Sequence, residues 1–134
     1  MTRANFRSQF EYSVAQQILN KGTTFEYETY EYQYWIKTRG ECACCGSRDI
    51  WEEHWYNPDF LLPNGIWLEA KGKWTPKDRE KHKAMQRDHP DVDVRFVFMR
   101  NNKIHKNSNT RYSDYCDKHG MKWCVGSIPR EWLQ

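Results

Sequence analysis

The stretch NPDFLLPNGIWLEAKGKW, residues 57–74, predicts two strands around a Pro-Asn-Gly turn. A loop of two residues would place Asp59 and Glu69 on opposite faces of the sheet, because side chains alternate along a strand. A loop of three residues, with proline opening a type I turn and glycine in the left-handed position, sets Asp59 directly across from Glu69. Proline at the first loop position favours this second register, which also brings Lys71 to the same face.

Two carboxylates that face each other, with a lysine beside them, suit metal-dependent cleavage of a phosphodiester. The carboxylates can hold one or two hard divalent cations, and the lysine can orient a water or offset developing charge. Pro58-Asp59, then nine residues, then Glu69-Ala70-Lys71, is the signature of the PD-(D/E)XK nuclease superfamily. Opposite charges across a strand pair also stabilise ordinary sheets, so the motif alone leaves a structural role open.

The composition indicates one modest domain with an aromatic core. The chain has 134 residues, of which 38% are hydrophobic and 16% aromatic, and its mean hydropathy is -1.05. We therefore expect a single domain over residues 1–134 whose core relies on Trp, Tyr and Phe, and which can use a partner subunit to bury them. The net charge of +3 and the pI near 8.6 fit a polyanionic partner.

The sequence shows no apolar run of the length that a signal peptide or a membrane span requires. The N-terminal stretch MTRANFRSQF is polar and charged. We therefore expect a soluble, intracellular protein with no membrane partner.

The pattern before the hairpin predicts a helix and then strand. Ser8 opens a capping box with Glu11, so a first helix begins there, and Gly22 closes it. The run TTFEYETYEYQYWI indicates one strand, or two strands with an irregularity near Thr29. Residues 37–53 then lose the pattern and predict a loop or an inserted element.

The pattern after the hairpin alternates helix and strand. Thr75 followed by proline begins a second helix that ends before Pro90. DVRFVFM indicates a buried strand, TRYSDYCDKHG a short helix ended by Gly120, and MKWCV a last strand. The order α-β-β-β-α-β-α-β predicts the α/β (α+β) class, with a mixed central β-sheet flanked by helices.

Five segments together resemble one known family. FRSQFE, KGTTFEYE, HWYNPDFLLPNGIWLEAKGKW, DREKHKAMQRDHPDVDVRFVF and YCDKHGMKW, in this order, resemble endonuclease I of the T-odd podophages, the junction-resolving enzymes. The resemblance runs from about Phe6 to Trp132. It implies a PD-(D/E)XK restriction-endonuclease-like core, Mg²⁺ or Mn²⁺ as cofactor with two ions in each site, and action in the cytoplasm of the bacterial host. It also implies cleavage of branched DNA, above all four-way (Holliday) junctions, by an intertwined, domain-swapped homodimer.

The same resemblance implies which residues form the active site. The catalytic residues would be Glu11, Asp59, Glu69, Lys71 and Glu26. The metal ligands would be Asp59, Glu69, Glu11 and the backbone carbonyl of Ala70. Two simpler roles stay open, since Glu11 can serve as the capping-box acid and Glu26 can be a solvent-facing strand acid.

Basic residues around the hairpin predict contacts with DNA phosphates. The second helix is basic and leaves the strand that carries Glu69 and Lys71, so it would reach phosphates that flank the site. An ordinary solvated helix face is the alternative. A second basic run, RNNKIHKNSNTR, is predicted as a loop near the cleft. The predicted DNA-binding residues are Arg7, Lys73, Lys77, Arg79, Lys81, Lys83, Lys103 and Lys106.

The five cysteines are odd in number, and three of them lie in the segment ECACCGS. Cys42 and Cys45, followed by glycine, form the C-x-x-C-G turn of zinc knuckles. A structural Zn²⁺ would need two more ligands, for which the candidates are His54, Cys44 or the same knuckle of a second subunit. The sequence thus predicts an inserted bridge or knuckle over residues 37–54, with either a structural Zn²⁺ or free thiols.

Two other functions remain open at the level of sequence. A sequence-specific or end-specific duplex DNA endonuclease, of restriction or transposon type, would share the Asp, Glu and Lys. A zinc-bearing DNA-binding module without enzymatic activity would use the same acids as structural groups. Cleavage of branched against linear DNA separates these functions.

Overall fold

The computed structural model describes residues 5–42 and 46–134, and for residues 39–42 and 46–49 it describes the backbone alone. The elements are α1 (Gln9–Asn20), β1 (Glu26–Tyr27), β2 (Tyr32–Cys42), β3 (Gly46–Tyr56), β4 (Phe60–Leu61), β5 (Trp67–Lys71), α2 (Pro76–Asp88), β6 (Val94–Phe98), α3 (Tyr112–Lys118), β7 (Lys122–Val125) and a 3-10 helix (Arg130–Leu133). The predicted α+β class is confirmed.

Five strands form the central mixed sheet, in the order β1-β4-β5-β6-β7. The β1, β4 and β5 strands are antiparallel neighbours, whereas β5, β6 and β7 run parallel. Parallel neighbours need a crossover connection. The α2 helix lies between β5 and β6 in the chain, and α3 lies between β6 and β7. Both helices were predicted from their capping and turn residues.

The β4–β5 hairpin has the three-residue loop that its turn chemistry predicts. Phe60 pairs with Leu68, and the Leu62 N–H donates to the Ile66 carbonyl at 2.9 Å. Gly65 has φ of +90°, the left-handed conformation that favours glycine. The register therefore sets Asp59 opposite Glu69.

The helix starts also follow the sequence. The Ser8 hydroxyl accepts the Glu11 N–H at 3.1 Å at the start of α1. Thr75 and Asp78 form a complete capping box at the start of α2, with proline in the first turn. Within the described ranges, no helix combines the length and the apolar composition needed to cross a membrane.

The β2 and β3 strands form a separate antiparallel ribbon, paired from Tyr32 with Tyr56 to Cys42 with Gly46. Within the segment 37–53, predicted as a loop or an inserted element, residues 37–42 and 46–53 thus form a strand pair. The predicted break before β2 is also present, and Glu28 there adopts the left-handed conformation with φ of 52°. Among the described side chains of the ribbon, Tyr34 and Tyr56 are buried whereas Trp35, Ile50 and Trp51 are exposed, so the sequence carries little of the apolar alternation that predicts a strand.

Three groups of buried side chains hold these layers together. Neighbouring residues of β6 contribute to two of these groups, because side chains alternate between the faces of a sheet: Val97 belongs to the first group and Phe96 to the second. The first group packs under α1 and includes Val14, Ile18, Phe60, Leu68 and Val97. The second packs between β6 and α3 and includes Trp74, Phe96, Phe98, Tyr112 and Cys116. The third packs between the ribbon and α2 and contains Tyr34, Tyr56, Ala84 and Met85.

The predicted aromatic core is most evident around Trp74. Its side chain is 1% exposed, and its ring lies 5.1 Å from Phe96 and 5.2 Å from Phe98. Burial of a large apolar side chain of this kind contributes about 1.5–3 kcal/mol. The packing on both faces fixes β5 and its neighbours, which carry the candidate site.

Candidate active site

The inner face of the β4–β5 hairpin presents two buried carboxylates. Asp59 is 6% exposed and Glu69 is 4% exposed. The Asp59 N–H donates to Glu69 Oε2 at 3.3 Å, and the Ala70 N–H donates to Asp59 Oδ2 at 2.9 Å. The backbone of each strand thus holds the acid of the other strand. The three-residue loop brings these acids together, as the sequence predicts.

Lys71 lies on the same face as Glu69. Its Nζ is 3.6 Å from Glu69 Oε1 and 3.8 Å from Asp78 Oδ1, and its side chain is 15% exposed. The β5 backbone is anchored here, because the Met99 N–H donates to the Lys71 carbonyl at 2.9 Å. The ammonium group is therefore held between the cleft acids and the first turn of α2.

Tyr56 is a site residue that sequence reasoning did not single out. Its buried hydroxyl donates to Glu69 Oε2 at 2.5 Å, and Lys81 Nζ lies 4.9 Å from the centre of its ring. The tyrosine orients Glu69 from the side opposite Lys71. The residue stands directly before Asn57-Pro58-Asp59, but its type gives no signal that distinguishes an acid-orienting tyrosine from a core tyrosine.

The two hairpin acids have perturbed ionisation. Burial, together with the charges of Glu69 and Glu11, raises the pKa of Asp59 well above its ordinary value. Burial also raises the pKa of Glu69, against the opposing effect of Lys71 and the Tyr56 hydrogen bond. The two carboxyl groups are buried, and the positive charge beside them does not offset the cost of burying their ionised forms. A divalent cation with oxygen ligands fits such a donor set.

Glu11 joins the cleft from α1. It is 6% exposed, and one carboxylate oxygen from each of Glu11, Glu28 and Asp59 lies within 4.8 Å of the others. Its Oε1 accepts the Tyr27 hydroxyl at 3.2 Å, while its N–H is capped by the Ser8 hydroxyl. Glu11 therefore combines the helix-start position with a place in the cleft, and all these contacts occur within one chain.

The structure places Glu28, rather than Glu26, in this cleft. Glu26 is exposed and lines a separate groove with Pro63 and Gly65. Strict strand alternation would send both glutamates to one face. The left-handed conformation at Glu28 breaks the alternation, and its N–H donates to the Asp59 carbonyl at 2.9 Å. Sequence reasoning missed Glu28 because this break depends on backbone conformation.

The predicted DNA-binding residues occupy different surroundings. Arg7 and Lys81 line the cleft, and Arg7 Nε lies 2.9 Å from Glu28 Oε1. Arg79 is buried, and its guanidinium donates to the Trp74 carbonyl at 2.6 Å. Arg79 thus has a structural contact where sequence reasoning placed a phosphate contact. The remaining predicted residues are exposed: Lys73, Lys77, Lys83, Lys103 and Lys106.

The candidate zinc ligands are only partly described. His54 stacks on Tyr34 with ring centres 5.3 Å apart, and its Nε2 lies 3.5 Å from Glu52 Oε2. The side chains of the cysteine candidates lie outside the described residues: Cys42, Cys44 and Cys45. The proposed knuckle therefore stays a prediction.

The raised pKa of Asp59 predicts that Asp59→Asn stabilises the metal-free protein at neutral pH. The folded pKa lies above the ordinary value of 3.8, so the unfolded state releases the proton first and stability falls as pH rises through this window. Asparagine removes that cost. The melting temperature at pH 8 should therefore be higher for Asp59→Asn than for the wild-type protein.

Thermal melts at several pH values check this expectation. The gain should shrink toward pH 4, where Asp59 of the wild-type protein is increasingly protonated in both states. The exposed Asp91 provides the matched control, and Asp91→Asn should leave the melting temperature nearly unchanged. A lower melting temperature for Asp59→Asn at pH 8 would show that the carboxylate stabilises the fold.

Fold and site together define an α+β domain with a carboxylate and lysine cleft on a β-hairpin. Comparison with known proteins identifies the family to which this domain belongs. The model of the phage endonuclease I family matches residues 1–134, and the chain belongs to that family. The predictions of this family and of a deoxyribonuclease are thereby confirmed.

Two phage proteins illustrate the relationship. Endonuclease I of Escherichia phage T7 is 41% identical over 130 residues, which cover 96% of this chain and 78% of the relative. Endodeoxyribonuclease 1 of Enterobacteria phage T3 is 39% identical over 125 residues, which cover 92% of this chain and 74% of the relative. The similarity thus extends well beyond the hairpin motif.

Proposed function

We propose that this chain is a metal-dependent endonuclease that hydrolyses phosphodiester bonds of branched DNA, such as four-way (Holliday) junctions, in the cytoplasm of a phage-infected bacterium. One observation carries the chemical part of the proposal. Asp59 and Glu69 face each other in a buried cleft, and Lys71 Nζ lies 3.6 Å from Glu69. The preference for branched DNA follows from the family resemblance of the sequence.

The donor set fits Mg²⁺ or Mn²⁺, with two ions in each site as the resemblance implies. The residues that would hold the metal are Asp59, Glu69, Glu11 and Ala70 through its backbone carbonyl. The bound metal would supply polarisation of the phosphate and a more acidic water. Glu28 adds a further carboxylate to this group, since it lies with Glu11 and Asp59.

The other cleft residues have roles of their own. The ammonium group of Lys71 lies beside Glu69, where it can orient a water and offset the negative charge that develops on the phosphate. Tyr56 holds Glu69 in one orientation through its hydroxyl. Arg7 and Lys81 line the same cleft and favour the approach of a phosphate backbone.

One assay tests this proposal. The wild-type protein is incubated with a four-way junction and with each of its linear arms, in Mg²⁺, in Mn²⁺ and in EDTA. We expect cuts near the branch of the junction, slow or absent cutting of the arms, and no cutting in EDTA. Sequence-defined cuts in the arms would support the duplex endonuclease instead, and a protein that binds DNA but never cuts would support the non-enzymatic module.

The proposal includes an intertwined, domain-swapped homodimer, as the resemblance implies. Within one chain, α1 packs against the sheet and brings Glu11 to Asp59. Domain swapping exchanges an identical element between protomers, so the same contacts can form between two chains. Two sites held at a fixed separation would engage two strands of a branch.

The placement of the two β1-region glutamates yields a direct comparison. Glu28→Gln should lower the single-turnover cleavage rate at least about tenfold, because it removes a charge from the cleft. Glu26→Gln is the matched control and should change the rate less than about twofold, since Glu26 is exposed outside the cleft. A larger loss for Glu26→Gln would reverse the assignment of these residues.

The cysteine segment has its own test. If Cys42 and Cys45 bind a structural Zn²⁺, metal analysis should find about one zinc per site that resists dialysis, and Cys42→Ser should lose both zinc and several degrees of melting temperature. Zinc-free protein, with an unchanged melting temperature in the variant, would establish free thiols.

A further inference from the structure

Three tryptophans lie on one exposed face of the β2–β3 ribbon. The exposed fractions are 39% for Trp35, 49% for Trp51 and 55% for Trp55. The register pairs Gln33 with Trp55, Trp35 with Glu53 and Lys37 with Trp51, so the side chains of these six residues share one face. We call the three tryptophans the tryptophan surface.

The tryptophan surface is separate from the core. The opposite face of the ribbon carries Tyr34 and Tyr56, which pack on Ala84 and Met85 of α2. Trp51 and Trp55 stand four residues apart on β3, a span of about 13 Å, and Trp35 lies across from the residue between them. A row of large aromatic side chains with this exposure is typical of a binding surface.

The tryptophan surface begins at the active-site cleft. Trp55 lines that cleft together with Asp59, Glu69 and Lys71. Its chain neighbour Tyr56 donates the hydrogen bond that orients Glu69. The ribbon therefore extends outward from the place where a DNA strand would be cut.

Cations flank the tryptophan rings farther along the ribbon. The guanidinium of Arg87 lies 5.1 Å from the centre of the Trp51 ring, and Lys37 Nζ lies 6.0 Å from it. Arg87 also donates to the Trp35 carbonyl, and its guanidinium pairs with its chain neighbour Asp88, with Nε 2.8 Å from Oδ1. Among the described side chains of this face, Glu53 is acidic and lies opposite Trp35, so a phosphate backbone would follow the side with Arg87 and Lys37.

We propose that the tryptophan surface binds unpaired bases of the DNA strand that enters or leaves the active-site cleft. Aromatic side chains beside cations bind single-stranded nucleic acid, because each base stacks on a ring while its phosphate meets a positive charge. Paired bases inside a duplex keep their faces stacked, so the surface favours DNA with unpaired bases. This inference rests on the proposed function, because it assigns a substrate feature to the same cleft.

Binding measurements in Ca²⁺, where cleavage is suppressed, test the proposal. The probes are a linear duplex and the same duplex with a single-stranded oligothymidine extension. The variants are Trp35→Ala, Trp51→Ala, Trp55→Ala and Trp55→Phe. Tyr30→Ala is the matched control, because Tyr30 is 56% exposed and packs on Tyr32 and Trp67 away from the tryptophan surface.

Trp55→Ala should raise the Kd for the extended probe by about 5- to 100-fold and the Kd for the plain duplex by less than about twofold. Trp55→Phe should retain most of the affinity, because it keeps an aromatic face. Tyr30→Ala should change neither Kd. Equal losses on both probes, or no loss in any tryptophan variant, would overturn the proposal.

Light scattering on the same variants tests whether a second copy of the chain, instead of DNA, binds the tryptophan surface. If the alanine variants change the mass of the particle, the tryptophan surface is a protein interface and the proposal is wrong. The binding result does not depend on cleavage. A wild-type protein that binds the extended probe through these tryptophans but never cuts a junction would refute the proposed function alone.

Discussion

Lys71→Ala is expected to lower the rate of DNA cleavage by a factor of about a hundred or more, while DNA binding survives. The ammonium group lies 3.6 Å from Glu69 and is held in a cleft of low exposure, where a preorganised charge has its largest effect on a transition state. Asp59→Asn and Glu69→Gln should each cause a comparable loss, because each removes one of the two facing carboxylates.

Single-turnover cleavage of a four-way junction in Mg²⁺ measures this loss, and titration of the junction in Ca²⁺ measures binding. Lys73→Ala is the matched control, since Lys73 is an exposed lysine just beyond β5. It should weaken binding modestly and reduce the single-turnover rate at saturation less than about threefold. A Lys71→Ala enzyme that cuts at a near-normal rate would contradict the proposed mechanism.

Mixing two inactive variants is expected to restore cutting of one strand. In the proposed intertwined dimer, each site combines Glu11 of one chain with Asp59, Glu69 and Lys71 of the other. Chains with Glu11→Ala and chains with Lys71→Ala, refolded together, would form heterodimers in which one site collects both defects. The second site would contain wild-type Glu11 and wild-type Lys71, and the mixture should nick a junction without making paired cuts.

The same mixture distinguishes an arrangement in which each site belongs to one chain. Every site would then keep one defect, and no mixture would regain activity. Each variant refolded alone serves as the control and should stay inactive. Suppose that the mixture is inactive although mass measurements confirm that heterodimers form. Glu11 would then act within its own chain, where it lies near Asp59, or would serve only at the start of α1.

The hairpin and the helix starts could be predicted because local chemistry determines them. The turn sequence sets the register that brings Asp59 to Glu69, and side-chain alternation then places Lys71. The hydroxyl of Thr75 caps α2 through contacts within one helical turn. Each of these features depends on residues that are near in sequence or paired through a short loop.

The parts that sequence reasoning missed depend on how the backbone and the side chains are arranged around the cleft. Tyr56, the last residue of the ribbon, donates its hydroxyl to Glu69 on β5. Glu28 enters the cleft through a left-handed residue where glycine would be the usual choice. Arg79 turns inward to the Trp74 carbonyl, although its position in a basic helix indicates a phosphate contact. In each case tertiary structure overrides the preference of the residue type.

The most direct measurement of the central claim is Mn²⁺ binding by calorimetry in the absence of DNA. The facing carboxylates Asp59 and Glu69 should hold the ion, so the wild-type protein should show a saturable binding site that Asp59→Asn and Glu69→Gln each lose. The exposed control Asp91→Asn should bind Mn²⁺ as the wild-type protein does. Unchanged Mn²⁺ binding in both Asp59→Asn and Glu69→Gln would contradict the account, because the metal would then be held without the hairpin acids.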